Sequence, residues 1–243
     1  MTGDRLPATR IARIGVVGTG YGVGATTVAA AIAAGMRATG ARVSAMKPIA
    51  CGGVADAERL RIAAGSTDPL ELVAPVRLAD ALAPLVAARR ARTSIDLGAL
   101  DHAFATLSAT RDAVVVDATG PLLTPITETE SFATLFARWK LGLVIVAPNS
   151  RDAVATVLAA ATVANAHTLV LQAVVLTTPD APAVPSALAR GAVPERTNQA
   201  VLKELLRTVP VIALPHTATP GDPTALPALA RDFATRATFT RPA

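Results

Sequence analysis

The sequence predicts an α/β fold: a doubly wound, mostly parallel sheet with helices on both faces. Short β-branched runs alternate with longer alanine-rich segments along the chain, as expected for parallel strands joined by crossover helices. The β-branched runs are almost continuously apolar, which indicates that both faces of each strand are covered. Hydrophobic residues make up 51% of the chain and aromatic residues only 3%, a composition that suits helices packed closely on a sheet.

The predicted elements follow one another in this alternating order. Each predicted strand is an apolar run that ends near glycine, proline or a polar residue, and each predicted helix is a longer alanine- or leucine-rich segment. The predicted strands are Ile14–Val17, Arg42–Met46, Ala113–Asp117, Gly142–Ala147, Leu169–Leu176 and Val211–Leu214. The predicted helices are Thr26–Thr39, Ala55–Ala64, Ala79–Arg90, Leu97–Leu107, Glu130–Arg138, Arg151–Ala164, Glu195–Arg207 and Thr224–Thr235.

Length, charge and cysteine content narrow the class of protein. The 243 residues are predicted to form a single domain (1–243), with flexible ends at 1–12 and 236–243. The formal charge of +5 is spread along the chain without blocks of like charge, so no nucleic-acid partner is expected. The longest apolar region is interrupted by polar residues, so no membrane span is expected. Cys51 is the only cysteine, which fits a reducing, cytoplasmic location.

A glycine-rich loop joins the first predicted strand to the first predicted helix. Residues 18–27 read GTGYGVGATT, and four glycines allow the backbone to approach an anion closely at a helix N-terminus. Thr26 stands where a phosphate-binding loop places the hydroxyl that ligates Mg²⁺. The loop departs from the general pattern in two ways: Gly18 and Gly24 are six residues apart instead of five, and Ala25 replaces the lysine.

The same glycines allow a second interpretation, dinucleotide binding. Gly20, Gly22 and Ala25 satisfy the G-x-G-x-x-A pattern after a strand. The second strand, however, is followed by Lys47 and not by the acid that binds a ribose hydroxyl. Because Lys47 suits a 2′-phosphate, an NADP-dependent enzyme remains the alternative on this pattern.

The order of several motifs resembles that of the dethiobiotin synthetase family. The glycine loop shares the six-residue spacing of that family, and residues 47–52, KPIACG, are similar to its Lys-Pro-Val-x-Ser/Thr-Gly. Asp56 then opens a helix, residues 83–88 (APLVAA) resemble its Ser/Ala-Pro-His-x-Ala-Ala, and Asp117 ends a strand where the family has Glu. Residues 123–126, LTPI, resemble its Val/Thr-Pro-Leu. The resemblance runs from about Ile14 to Pro215 and implies a P-loop NTPase-like fold.

The resemblance implies an ATP-dependent ligase that carboxylates 7,8-diaminopelargonate with CO₂ and closes the ring of dethiobiotin, in a homodimer. It implies that Lys47 and Thr26 are catalytic, and that Thr26, Asp56 and Asp117 hold Mg²⁺. The residues implied to bind ATP are Thr19, Gly20, Tyr21, Gly22, Val23, Gly24, Ala25, Thr26, Thr27, Thr177 and Pro215. Those implied to bind the substrate are Lys47, Cys51, Thr124, Asn149, Ser150 and Arg151.

Several departures from the family fall on catalytic positions and leave a second hypothesis open. Ala25 removes the loop lysine, Asp117 is one carbon shorter than the family's Glu, and Thr177 stands where the family reads adenine with Asn. Residues 148–155 replace the family's Gly-x-Ile-Asn-His stretch. Losing one charged donor to a transition state costs about 3–4 kcal/mol. The alternative is therefore a weak or inactive homologue that serves as a binding or scaffold subunit.

Overall fold

A computed structural model describes residues 12–178 and 192–214. The strands are β1 Ala12–Gly18, β2 Val43–Met46, β3 Ile49–Cys51, β4 Val76–Leu78, β5 Ala113–Asp117, β6 Gly142–Pro148, β7 Leu171–Thr177 and β8 Val211–Ala213. The helices are α1 Ala25–Ala38, α2 Ala55–Ala64, α3 Leu70–Val73, α4 Pro84–Arg90, α5 Leu97–Ala109, α6 Phe132–Arg138, α7 Ala153–Ala166 and α8 Ala192–Leu206.

Six strands form one parallel sheet in the order β2-β5-β1-β6-β7-β8, as the alternating pattern predicts. The inner strands β5, β1 and β6 bury side chains on both faces, whereas Ala213 of the edge strand β8 is exposed. In β5, Val114 and Val116 join a core with α5, α6 and α7, whereas Ala113 and Val115 join a second core with α1 and α2. Successive side chains of a strand point to opposite faces, so two cores require apolar residues at every position.

The strand order of the sheet reverses at β1. The chain leaves β1 toward β2 and β5 on one side, and later toward β6, β7 and β8 on the other. In open parallel sheets, ligands bind beyond the carboxyl ends of the strands at the point where this order reverses. The glycine loop after β1 lies at that point.

Three short elements between Met46 and Pro84 were not predicted. β3 and β4 pair in parallel as a separate two-stranded sheet, and α3 lies between α2 and β4. The predicted helix Ala79–Arg90 begins later, at Pro84, because a residue before proline is disfavoured in the α conformation and Ala83 has ψ 140°. Three-residue strands fall below the length at which an apolar pattern is recognisable.

The ends of the predicted elements shift by a few residues elsewhere. Ala12, predicted to lie in the flexible N-terminal segment, is the first residue of β1. The rest of that segment, the C-terminal segment 236–243 and the predicted helix Thr224–Thr235 lie outside the described residues. Among the helices of the described ranges, none has the length and apolar character that crossing a membrane requires.

Candidate functional site at the carboxyl edge of the sheet

The register of the sheet brings Lys47 beside Asp117. Met46 of β2 pairs with Val116 of β5, so the next residue of each strand emerges at the same edge. On the other side of β5, Val16 of β1 pairs with Asp117. The glycine loop that follows β1 therefore begins next to the lysine and the aspartate.

The glycine loop is shaped by conformations and contacts that side chains would not allow. Gly24 has φ +89° and caps α1, a left-handed backbone that favours glycine. A Cβ on Gly18 would lie 2.6 Å from the Gly20 carbonyl oxygen and from a methyl of Val23. α1 starts at Ala25 with no side-chain cap and no acid in its first turn. Its first N–H groups lack intrahelical acceptors, so this terminus suits an anion.

Lys47 lies among three oxygen-bearing side chains. Its Nζ is 2.8 Å from Asp117 Oδ2 and 3.5 Å from Asp56 Oδ2, and it lies 3.4 Å from Thr26 Oγ1. Thr26 donates its hydroxyl proton to Asp117 Oδ2 at 2.7 Å, with Asp56 Oδ2 3.3 Å away. Residues from four separate segments thus meet in one cluster: the ends of β2 and β5 and the starts of α1 and α2.

Burial makes the charges of this cluster strongly interdependent. The Asp117 side chain is fully buried and that of Lys47 is 8% exposed, whereas that of Asp56 is 44% exposed. Burial by itself lowers the pKa of Lys47, but the charges and hydrogen bonds of Asp117 and Asp56 together raise that pKa above its ordinary value. Lys47 is therefore a cation at neutral pH, and its ammonium group faces the carboxyl groups of two aspartates.

One oxygen of Asp117 has no hydrogen-bond partner among the residues that the structure describes. This oxygen, Oδ1, is buried, whereas Oδ2 contacts both Thr26 and Lys47. An unpaired carboxylate oxygen is costly to bury, so the atom is suited to a further cation or a water molecule. The described residues contain no group of three or more His, Cys, Asp or Glu side chains able to hold a metal. Mg²⁺ needs less, because it is held by one or two carboxylates together with phosphates and waters.

Thr177, at the end of β7, lies against the glycine loop. Its hydroxyl donates to the Val23 carbonyl at 2.9 Å, with the Ala147 carbonyl 3.3 Å away. Its own carbonyl accepts a hydrogen bond from the backbone N–H of Asn149 at 2.7 Å. The structure thus joins two predicted nucleotide-binding positions, Thr177 and Val23, by a direct hydrogen bond.

The segment after β6 contains an interaction that the sequence gives no means of predicting. Asn149 is buried, and its Oδ1 accepts a hydrogen bond from Asn198 Nδ2 of α8 at 2.9 Å. The same amide donates to the Ser150 carbonyl at 2.7 Å. Asn198 sits in a predicted helix with no motif around it, and only the folded arrangement shows its role. Arg151, the third predicted residue of this segment, is exposed.

The remaining predicted substrate residues lie on the side of β5 and β3. Cys51 ends β3 and is partly buried; burial raises the pKa of its thiol, although the charge of Lys47 acts in the opposite direction. Thr124 is buried close to Gly120, where a Cβ would lie 2.7 Å from Thr124 Oγ1 and 2.9 Å from the Tyr21 hydroxyl. Tyr21 and Thr124 therefore flank the same turn. Pro215, the last predicted nucleotide contact, lies outside the described residues.

Sequence comparisons identify proteins with related sequences. A family model described as AAA domain matches residues 12–216. The ATP-dependent dethiobiotin synthetase BioD of Anaeromyxobacter sp. (strain Fw109-5) is 37% identical over 165 residues, which are 66% of this chain and 74% of that protein. The proteins of the same name from Anaeromyxobacter dehalogenans (strain 2CP-C) and Akkermansia muciniphila are 43% and 35% identical, over 61% and 65% of their lengths.

Structural comparisons identify the same type of fold. The septum site-determining protein MinD of Pyrococcus horikoshii, solved with Mg-ADP, matches with a TM-score of 0.53 at 13% identity, over 93% of this chain and 97% of that one. A ParA family ATPase of Chlorobium tepidum matches with a TM-score of 0.52 at 13% identity, over 93% and 98%. At this identity the likeness concerns the fold alone, and it confirms a P-loop NTPase-like architecture. With the family match over most of its length and the Fw109-5 relative, the chain belongs to the AAA-domain family and, within it, to the dethiobiotin synthetases.

Proposed function

We propose that the protein is an ATP-dependent ligase that forms dethiobiotin from 7,8-diaminopelargonate and CO₂. The observation that carries the proposal is the cluster of Lys47, Asp117, Asp56 and Thr26 beside the glycine loop, in which Lys47 and Asp117 are buried. Its composition suits phosphoryl transfer, which needs positioned charges more than covalent catalysis. The names of the relatives support the same reaction, and the chain aligns with about three fifths to three quarters of their lengths.

Thr26, Asp56 and Asp117 would hold Mg²⁺. A divalent cation with hard oxygen ligands would fit the Thr26 hydroxyl, the Asp56 carboxyl and the buried Oδ1 of Asp117, which accepts no hydrogen bond within the described part of the chain. When bound with the nucleotide, the ion would neutralise charge on the phosphates.

The glycine loop and Lys47 would bind and orient the phosphates. The loop amides and the uncapped start of α1 supply N–H donors, whereas Ala25 supplies no charge. Lys47 therefore takes the part of the phosphate-neutralising cation. In the reaction, a carbamate oxygen formed from one substrate amine attacks the γ-phosphorus, and ADP leaves. The second amine then attacks the carbonyl carbon of the mixed anhydride, releases phosphate and a proton, and closes the ring.

The substrate would lie between β3, the Gly120 turn and the segment after β6. Cys51, Thr124, Asn149 and Ser150 offer neutral polar groups there, and the raised pKa of Cys51 keeps its thiol protonated at neutral pH. Arg151 is exposed and supplies a charge for the substrate carboxylate. The proposal includes a homodimer, by resemblance to the family. Light scattering coupled to size-exclusion chromatography measures the molar mass of the purified protein and tests this directly.

The NADP-dependent alternative has no support. Lys47, the residue that would meet a 2′-phosphate, is buried in ion pairs with Asp117 and Asp56. The relatives are ATP-dependent synthetases.

Calorimetric titration with Mg·ATP, together with phosphate release in the presence of diaminopelargonate and bicarbonate, tests the proposal. We expect ATP binding and phosphate release that requires both substrates. Lys47→Ala should lower the rate of phosphate release by about two to three decades, since it removes the positive charge that would stabilise the phosphoryl group during its transfer. Lys203→Ala changes an exposed lysine of α8 and is the matched control. ATP binding without phosphate release would instead favour the binding or scaffold homologue that Ala25 suggests.

A further inference from the structure

Thr177 is tied to the glycine loop at both ends of its side chain. The hydroxyl has one proton, and the shorter of its two carbonyl contacts, 2.9 Å, is to Val23. The methyl lies on the Gly24 side, where a Cβ built on that glycine would be 3.4 Å from Thr177 Cγ2. The donor of Thr177 is therefore committed to the loop backbone and is not available to a nucleotide base.

The loop has a physical need for such an anchor. Residues 18–24 contain four glycines, whose backbone loses more conformational freedom on ordering than that of any other residue. A loop that must present its N–H groups to phosphates binds more tightly when that arrangement exists before the ligand arrives. Ala25 cannot make hydrogen bonds through its side chain, so it adds no polar contact that would hold this arrangement.

The anchor is itself held from two sides. β7 pairs with β6 up to Thr177, opposite Pro148. The Thr177 carbonyl then accepts the N–H of Asn149, whose side chain is held by Asn198 of α8. A chain of hydrogen bonds thus links α8, the segment after β6 and β7 to the Val23 carbonyl. From this geometry we propose that Thr177 is a positioning residue that fixes the glycine loop for the phosphates of a nucleotide; the ligand, though not the loop contact, rests on the proposed function.

The test compares Thr177→Val, which removes the hydroxyl and keeps the shape, with Thr177→Ser, which keeps the hydroxyl. Thr162→Val is the matched control, because the Thr162 hydroxyl also donates to a backbone carbonyl at 2.9 Å but on the exposed side of α7. Titration calorimetry with ATP, GTP and inorganic tripolyphosphate gives the affinities. We expect Thr177→Val to weaken all three by about three- to tenfold, and the serine and control variants to stay within about twofold of the parent protein.

Tripolyphosphate separates positioning from base recognition. If Thr177→Val weakened ATP but left GTP and tripolyphosphate unchanged, Thr177 would be a base-reading residue and the proposal would be wrong. Equal affinities of the valine variant and the parent protein for all three ligands would also overturn it.

Hydrogen exchange keeps the test independent of the reaction. In the ligand-free protein, the amides of residues 19–25 should exchange faster in Thr177→Val than in the parent or Thr162→Val, with melting temperatures showing that each variant is folded. Failure of the parent protein to bind ATP would count against the proposed function alone, because the exchange of the loop still decides whether Thr177 positions it. Unchanged loop exchange in folded Thr177→Val would overturn the positioning role.

Discussion

At the scale of single residues, Lys47 contacts the same oxygen atoms that are proposed to bind a metal ion. Its ammonium group lies within 2.8–3.5 Å of Asp117, Asp56 and Thr26, the three residues proposed as metal ligands. In the ligand-free protein the lysine thus partly compensates the two carboxylates. A divalent cation brought to these oxygens meets the positive charge of Lys47 at close range, so the lysine and the metal oppose each other until phosphates are present.

We therefore expect Lys47→Met to bind Mn²⁺ more tightly than the parent protein in the absence of nucleotide. Two unit charges about 4 Å apart interact with about 1 kcal/mol in water and about 4 kcal/mol at an effective dielectric constant of about 20. Removing the repulsion of Lys47 should therefore raise the Mn²⁺ affinity by about tenfold or more. The fraction of free Mn²⁺ measured by electron paramagnetic resonance gives the affinity directly. Lys203→Met should leave the Mn²⁺ affinity unchanged. An affinity of Lys47→Met equal to or weaker than that of the parent protein would contradict the proposed repulsion between Lys47 and the metal ion.

The proximity of Lys47 and Asp117 follows from a general rule on parallel sheets, whereas Asp56 and Thr26 were named through the family resemblance. Lys47 and Asp117 follow buried strands, and the carboxyl ends of neighbouring parallel strands meet at one edge. No comparable rule applies to Asn198, which reaches Asn149 from a helix far along the chain. The hydrogen bond of the Thr177 hydroxyl could not be predicted either, because its acceptor is a backbone carbonyl and a sequence does not show which carbonyl lies nearby.

At the scale of elements, α6 shows how a short helix is held in place. Ser131 and Thr134 form a reciprocal capping box: the Ser131 side chain accepts the Thr134 N–H, and the Thr134 hydroxyl accepts the Ser131 N–H at 2.9 Å. The helix then buries Phe132 and Phe136 against the sheet, and the Phe136 ring fills the space above Gly15 of β1. The cap thus fixes the position of a helix that packs against β1, the strand that leads to the glycine loop.

Ser131→Ala should lower the free energy of unfolding by about 1 kcal/mol, because it leaves one N–H of the first turn without its acceptor. Urea unfolding followed by circular dichroism measures the change. Ser150→Ala is a suitable comparison, since it changes a partly exposed serine outside any helix cap. A loss no larger than that of the comparison variant would show that water replaces the cap at no cost.

Elements were predictable in proportion to their length and pattern. The bounds of α2 and β5 agree with the prediction at both ends. The elements that were not predicted, β3, β4 and α3, are only three or four residues long. They form through contacts within residues 47–84, and a short stretch of sequence does not indicate such contacts. A neighbouring part of this region was assigned to a helix because alanine and leucine dominate residues 79–83, although Pro84 opposes the helical conformation there.

At the scale of the whole molecule, the two ends of the sheet carry different kinds of charge pair. The carboxyl edge holds the buried cluster of Lys47. At the opposite edge, Asp112 precedes β5 and accepts hydrogen bonds from the backbone N–H and the guanidinium of Arg42, which precedes β2, at 2.8–3.1 Å. These contacts lower the pKa of Asp112 from 3.8 to about 2, the side-chain hydrogen bond being the largest cause.

The lowered pKa makes global stability depend on pH in a defined window. Between about pH 4 and pH 2 the unfolded chain binds a proton at Asp112 that the folded chain does not, so this contribution to stability is complete above pH 4 and is lost as the pH falls toward 2. We expect Asp112→Asn to be less stable than the parent protein at neutral pH and the difference to shrink across that window, as measured by urea unfolding at pH 2–5. Arg42→Ala should flatten the same part of the profile, because it removes the guanidinium while keeping the backbone N–H. A difference between Asp112→Asn and the parent that stayed constant from pH 5 to pH 2 would mean that this exposed pair is screened by solvent and does not couple the starts of β2 and β5 to the stability of the sheet.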